Sequence, residues 1–160
     1  MPHSLRTHGV LLRRLTEHLD GAVERWYARA GLDYRPRFTP IVRALLERGP
    51  LSLRALSDHI GVSHSAVSQT VTQMGARGWV APGPGRDGRE RIIALTAFAM
   101  ERLPLLERCW AETETASRTL DADIGQPLAD VLIRALDALE CRPFADRLSE
   151  ASAQSSGDSL

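Results

Sequence analysis

The feature that most constrains the fold of this chain is a pair of capped helical segments joined by a glycine, within residues 51–96. Ser52 and Ser63 stand where helix N-caps are expected, because a serine hydroxyl accepts a hydrogen bond from a free N–H of the first turn. Gly61 lies between the two helices, where the chain must reverse and a side chain would clash. The segment therefore predicts a helix-turn-helix.

The period of the apolar residues changes after this helix pair. Trp79-Val80 and Arg89 to Leu95 are rich in β-branched and apolar side chains, which predicts two short strands. Residues 82–88 between them contain two prolines and three glycines, so they predict a loop. A hairpin after a helix-turn-helix makes a winged helix, and the predicted fold class is mainly α with a small β-hairpin wing.

Longer helices flank this winged lobe. Apolar residues recur at helical spacing from Leu5 to Ala30, from Thr96 to about Arg118, and again from Leu128 to Leu139. Residues 120–126 predict a break. The predicted domain organisation has an N-terminal dimerisation helix over residues 1–35 and a DNA-binding lobe over residues 36–96. C-terminal dimerisation helices follow over residues 97–150, and a disordered tail over residues 151–160.

The charge of the chain is zero in total but not locally. It has 20 basic and 20 acidic residues, and every basic residue is arginine. Residues 1–100 hold 14 arginines and 8 acids, a net of +6, whereas residues 101–160 hold 6 and 12, a net of −6. Phosphates respond to charge within about a Debye length, so the zero total does not exclude a nucleic-acid partner.

The second helix of the pair presents an unusual polar face. Its inward side is apolar, and its other sides carry short or amide side chains without a negative charge. Such groups bond base edges in the major groove, and a helix N-terminus favours a phosphate. The alternative is a polar surface helix that contacts nothing. The candidate DNA-binding residues on this helix are Ser63, His64, Ser65, Ser68, Gln69 and Thr72.

The loop of the hairpin adds Arg86, Asp87 and Arg89 to the candidates. An arginine at a wing tip can enter the minor groove, where narrow A·T tracts concentrate negative potential. The alternative is a flexible surface loop whose charges serve solubility.

These elements together resemble the MarR family of bacterial transcription regulators. The resemblance is most specific over residues 51–96, where Asp87, Arg89, Leu95 and Thr96 match the family's wing pattern of Asp-x-Arg, five residues, Leu-Thr. It implies a homodimer with interlocked terminal helices, acting on a pseudo-palindromic DNA duplex and usually as a repressor. By the same resemblance Ser65, Ser68 and Gln69 face base edges, Arg86 and Arg89 enter the minor groove, and Asp87 braces the wing.

The resemblance also implies a small aromatic effector that binds between the DNA-binding lobe and the dimer helices. Its candidate ligands in this chain are Arg14, His18, Trp26, Tyr27 and Trp110. The alternative for each of them is core packing, dimer packing or a solvated face.

Other classes of function find little support. The sequence has no nucleophile elbow, phosphate-binding loop or zinc-protease motif, which argues against an enzyme. Its histidines are scattered, so no metal or other cofactor is expected. Cys109 and Cys141 are interpreted as buried small hydrophobes. No signal peptide or membrane span is apparent, which favours the cytoplasm. The alternative function is a winged-helix protein-interaction or regulatory module without specific DNA binding.

Overall fold

The computed structural model describes residues 7–84 and 91–157. The chain divides between Thr113 and Glu114 into two units, each of which is considered by itself.

The first unit begins with a 22-residue helix, α1, His8–Arg29. The Thr7 hydroxyl caps it by accepting a hydrogen bond from the Val10 N–H at 3.4 Å. Gly31 follows the helix with a φ of +79°, the left-handed conformation that commonly ends a helix. A short 3-10 helix, Pro36–Phe38, then leads into α2, Thr39–Arg48.

The predicted helix-turn-helix is present as α3, Leu53–Ile60, and α4, His64–Ala76. Ser52 and Ser63 cap the two helices as predicted, accepting from the N–H groups of Ala55 and Ala66 at 3.3 and 3.4 Å. Gly61 has a φ of 72° and a ψ of 27°. A side chain would make that left-handed conformation unfavourable, which explains the glycine at the turn.

A three-stranded antiparallel sheet completes the lobe. The strands are β1, Leu51–Ser52, β2, Val80–Pro84, and β3, Arg91–Leu95, in the order β1-β3-β2. The sequence predicts only the last two, because a two-residue strand has no period of its own. The fold class, a mainly helical winged helix-turn-helix with a β wing, is confirmed.

The wing differs from the prediction at its proline-rich side. The predicted loop begins at Pro82, but β2 continues to Pro84 and pairs there with β3. β2 is an outer strand, and Pro82 and Pro84 are two residues apart, so their nitrogens point to the same edge. A strand edge without a neighbour needs no N–H donors, and proline is tolerated there.

Helix α5, Ala97–Ile124, is longer than predicted. Thr96 caps it as expected, accepting from the Ala99 N–H at 3.1 Å. The predicted break over residues 120–126 is wrong up to Ile124, because leucine and alanine there continue the helix. The chain breaks instead at Gly125, with a φ of +77°.

The second unit continues with α6, Leu128–Cys141, and α7, Phe144–Gly157. The prediction of a disordered tail from residue 151 is wrong for residues 151–157, which are helical. α7 is already nucleated by Phe144 to Glu150, and extending an existing helix costs less than starting one. Residues 158–160 lie outside the described part of the chain.

The interior of the first unit is aromatic at its centre. Tyr34 packs edge-on against Tyr27, Phe38 and Trp79, with ring centroids 4.9, 5.5 and 4.8 Å apart. The buried set that surrounds them includes Ile41, Val42, Leu45, Leu56, Val67, Met74, Leu106 and Cys109. Cys109 is buried as predicted, whereas Cys141 is exposed, because it ends α6 on a side that no described residue covers.

Candidate DNA-binding interface

One side of α4 is buried and the opposite side is open. Val67 and Met74 point into the core with 2% and 0% exposure. Ser65 and Gln69 lie on the opposite side, because successive helical residues are rotated by about 100°, and the half-buried Ser68 lies at the margin of that side. The two flanking members of the predicted set, His64 and Thr72, are exposed as well. The structure thus brings the predicted α4 residues together on one accessible face.

Several hydroxyl groups of α4 and of its N-cap already have hydrogen-bond partners nearby. The Ser63 and Ser65 hydroxyl oxygens lie 3.2 Å apart, and the Thr72 hydroxyl donates to the Ser68 carbonyl at 2.9 Å. A hydroxyl that donates within the helix still keeps lone pairs for an outside donor. These groups can therefore accept hydrogen bonds, which suits amino groups on base edges.

The two glutamines of α4 differ in their surroundings. Gln69 is exposed, and its amide forms no hydrogen bond with any residue that the structure describes. The Gln73 side-chain oxygen instead accepts a hydrogen bond from the guanidinium of Arg37, which precedes α2. Gln69 is free to bond an outside partner, whereas Gln73 is held against the lobe. No local sequence pattern indicates this role of Arg37, because it lies 36 residues before Gln73.

The predicted wing residues Arg86, Asp87 and Arg89 lie outside the described residues, so their roles stay predictions. The two strands that flank this segment pair as far as Pro84 and Arg91, the last described rung. Any group at the wing tip is therefore attached to the same sheet that packs beneath α3 and α4.

An arginine that sequence patterns do not reveal anchors the end of α4. The Arg77 Nε donates to Asp33 Oδ1 at 3.1 Å, and its Nη1 donates to the Gln73 carbonyl at 3.2 Å. Its guanidinium carbon also lies 5.9 Å from the centre of the Phe38 ring. The neighbouring Trp79 indole N–H donates to the Asp33 carbonyl at 2.9 Å. These contacts join residues 44 and 46 positions apart, so no local pattern indicates them.

The five effector candidates have different surroundings in the described part of the chain. Tyr27 is 2% exposed and belongs to the core, as its alternative interpretation states. Trp110 is half-buried beneath the Arg43 guanidinium, 4.8 Å from its ring centre. Arg14 and His18 are exposed on α1. Trp26 lines a cleft.

That cleft lies between α1 and α5 and has a volume of about 400 Å³. The Trp26 indole N–H donates to Glu112 Oε2 at 2.7 Å across it. Two arginines and a cysteine that were not among the candidates are also in its wall, which consists of Trp26, Arg29, Ala30, Leu105, Arg108, Cys109 and Glu112. Burial, with a smaller contribution from Glu112, raises the pKa of the Cys109 thiol, so this cysteine is a poor nucleophile at neutral pH.

Residues 7–84 and 91–157 offer neither a metal site nor a membrane span. No group of three or more histidine, cysteine, aspartate or glutamate side chains is placed to hold a metal ion within those ranges. None of the helices described there is long and apolar enough to cross a bilayer.

Comparison with known proteins finds a family whose model matches the helix-turn-helix. A model of the MarR family matches residues 39–90, which contain α2, the helix-turn-helix and the first strand of the hairpin. No curated protein matches the chain.

Solved structures share the fold over nearly their whole length. The transcriptional regulator MOSR of M. tuberculosis in complex with DNA is 22% identical, with a TM-score of 0.67 over 86% of this chain and 99% of that one. The PcaV transcriptional regulator of Streptomyces coelicolor in complex with its natural ligand is 23% identical, with a TM-score of 0.65 over 86% and 98%. A probable transcriptional regulator of Pseudomonas aeruginosa is 20% identical, with a TM-score of 0.60 over 84% and 97%.

These structural likenesses, all below 25% identity, establish the winged-helix fold with its flanking helices. The family model adds the sequence pattern of the helix-turn-helix itself. The resemblance predicted from the sequence is therefore confirmed over residues 39–90, where the chain matches the model of the MarR family.

Proposed function

We propose that this protein is a sequence-specific repressor that acts as a homodimer on a pseudo-palindromic operator. The observation that carries the proposal is the exposed, uncharged face of α4 around Ser65, Ser68 and Gln69. A helix on the surface that contacted only water would be expected to carry acids and arginines, whereas α4 has neither. An absence of acids matters most here, because a carboxylate near phosphate would be repelled.

The local geometry supports entry of α4 into the major groove. Its N-terminus is capped by Ser63 and has no acid in the first turn, so the positive end of the helix dipole stays available to a phosphate. Ser65, Ser68 and Gln69 then reach base edges from the first two turns. In a dimer, two such helices would lie in successive major grooves about 34 Å apart.

The homodimer is supported by the second unit, which has no interior of its own. Between residues 114 and 154 none of the side chains is buried. Leu136 and Phe144 are 60% and 58% exposed, and Ile133 is 54% exposed. Exposed apolar residues at this density on two helices indicate a surface that another chain covers. We assign α1, α6 and α7 together with the end of α5 to the dimer.

An effector that releases the DNA is the remaining part of the proposal. The cleft between α1 and α5 has room for a small aromatic molecule, and Trp26 offers a ring against which it could stack. Arg29 and Arg108 in the same wall suit a carboxylate. The natural ligand of the PcaV structure and the DNA of the MOSR structure belong to those proteins, and they support the proposal only by analogy.

The test is a fluorescence anisotropy titration of the protein with duplex DNA from upstream of its own coding region. A scrambled duplex of the same composition serves as the control. The proposal expects at least about 1,000-fold tighter binding to the specific duplex. Equal affinity for both would refute specific binding, and no binding at low salt would favour the alternative of a protein-interaction module.

A further inference from the structure

Several hydrogen bonds converge on the end of α4. The Arg77 guanidinium donates to the Asp33 carboxylate and to the Gln73 carbonyl of α4, while the Asp33 carbonyl accepts from the Trp79 indole N–H. Asp33 thus accepts hydrogen bonds from the residues on both sides of Gly78, which lies in the turn between α4 and β2. Gly78 makes this turn with a φ of +76°, and the Trp79 N–H bonds the Met74 carbonyl at 3.0 Å.

Asp33 belongs to the segment that follows α1 directly. α1 ends at Arg29, and Tyr27 near its end packs against Tyr34, which packs in turn against Trp79. The position of Asp33 is therefore fixed by the end of α1. A bond from Asp33 to Arg77 transmits that position to the end of α4.

The pair is poorly suited to stabilising the fold as a whole. The Asp33 side chain is 78% exposed, and exposed ion pairs contribute little because water screens them. The Arg77 side chain is only 23% exposed and lies over the Phe38 ring, so its direction is restricted. An arginine with a fixed direction and two bonds to different elements restrains geometry more than it adds stability.

We propose that Asp33 and Arg77 are positioning residues that fix the angle between α4 and α1, and thereby the separation of the two α4 helices in the dimer. The inference rests on the proposed function, because it concerns how a dimer matches its operator. Neither residue needs to touch DNA. Loss of the pair lets α4 pivot about its capped N-terminal end, so that each helix meets its half-site at a range of angles.

The charge of Asp33 sharpens the test. Removing an acid makes the lobe more positive, which by itself favours phosphate. A loss of operator affinity in Asp33→Asn would therefore run against the electrostatic effect of the substitution. Glu101→Gln is the matched control, since it removes the same charge from a carboxylate whose ion pair, at 3.7 Å, is with its neighbour Arg102.

The experiment compares the full-length protein with Asp33→Asn, Arg77→Lys and Glu101→Gln on three operator duplexes and one scrambled duplex. The operators carry the natural centre, one inserted base pair or one deleted base pair, and an insertion changes the half-site separation by about 3.4 Å. Denaturant unfolding confirms that each variant is folded.

Asp33→Asn and Arg77→Lys should bind the natural operator about 3- to 10-fold more weakly, which is the scale of one ordinary hydrogen bond. Their preference for natural over altered spacing should fall by a similar factor, while scrambled-duplex affinity and the salt slope stay within about two-fold of the wild type. Glu101→Gln should keep the wild-type spacing preference.

An unchanged spacing preference in both variants would overturn the inference, and so would an equal loss on operator and scrambled duplex. A wild-type protein that shows no preference for the operator would instead refute the proposed function on which the inference rests. The two failures are therefore distinguishable in one set of titrations.

Discussion

The two glutamines of α4 give a direct test of how the helix meets DNA. Gln69 is exposed and forms no hydrogen bond within the described chain, whereas the Gln73 oxygen accepts from Arg37. The substitutions Gln69→Ala and Gln73→Ala remove the same group from the same helix. Their effects on helix propensity are therefore equal, and any difference reports the surroundings of each amide.

The expected magnitudes follow from those surroundings. A glutamine that bonds adenine through both amide atoms contributes about 1–3 kcal/mol of discrimination, or roughly 5- to 150-fold in affinity. Gln69→Ala should lose this amount. Gln73 already has its oxygen bonded to Arg37, so Gln73→Ala should change operator affinity by less than about three-fold, the scale of a single weak contact.

The assay is anisotropy with the operator and with a panel that carries one substituted base pair at a time. Gln69→Ala should become indifferent at one position in each half-site and keep the wild-type preference elsewhere. A uniform loss across the panel would assign Gln69 to phosphate. A larger effect of Gln73→Ala than of Gln69→Ala would refute the reasoning, since it would mean that Arg37 releases Gln73 to the DNA.

Three other predictions concern the fold and the assembly. Gly61→Ala should lower the free energy of unfolding in urea by about 1–2 kcal/mol, because no atom lies within 4 Å of the added Cβ and only the left-handed backbone is disfavoured; an unchanged stability would contradict the turn. Leu136→Arg, at a side chain 60% exposed in the single chain, should give a monomer in sedimentation equilibrium, and a retained dimer would place the interface elsewhere. Maleimide should label the exposed Cys141 rapidly at neutral pH and label Cys109 only after unfolding or at higher pH. Burial raises the pKa of Cys109 and thereby reduces the fraction of reactive thiolate, so equal labelling rates would show that Cys109 is accessible.

Local sequence signals are sufficient for most of the winged lobe. Ser52, Gly61 and Ser63 each act through groups within a few residues, as a cap or a turn does, and the structure confirms all three. The predictions are wrong where a residue's preference is overridden by its place in the sheet or helix. Pro82 and Pro84 are typical of a loop but pair in an outer strand, and residues 151–157 have a disordered composition but extend an existing helix.

The candidate site is predictable only in part, for a related reason. The polar face of α4 follows from the helical period, so the sequence alone is enough to select Ser65, Ser68 and Gln69. The roles of Arg37 and Arg77 depend on contacts 36 and 44 residues away, which only the folded chain brings together. The same limit applies to the effector candidates, since burial of Tyr27 depends on the position of Tyr34.

The folded lobe separates the groups that would read bases from the groups that would attract phosphate. α4 has no arginine, and the two arginines beside it are engaged, Arg37 with Gln73 and Arg77 with Asp33. The Arg54 side chain on α3 is 88% exposed, and its Nε lies 3.9 Å from Asp58 Oδ2. A phosphate could replace this exposed ion pair at little cost in free energy. In the proposed complex the positive charge of residues 1–100 would therefore act on DNA from outside α4. Salt dependence reflects the number of phosphate contacts, and base preference reflects contacts in the grooves. In the proposed complex, different residues of this lobe would therefore determine the two properties.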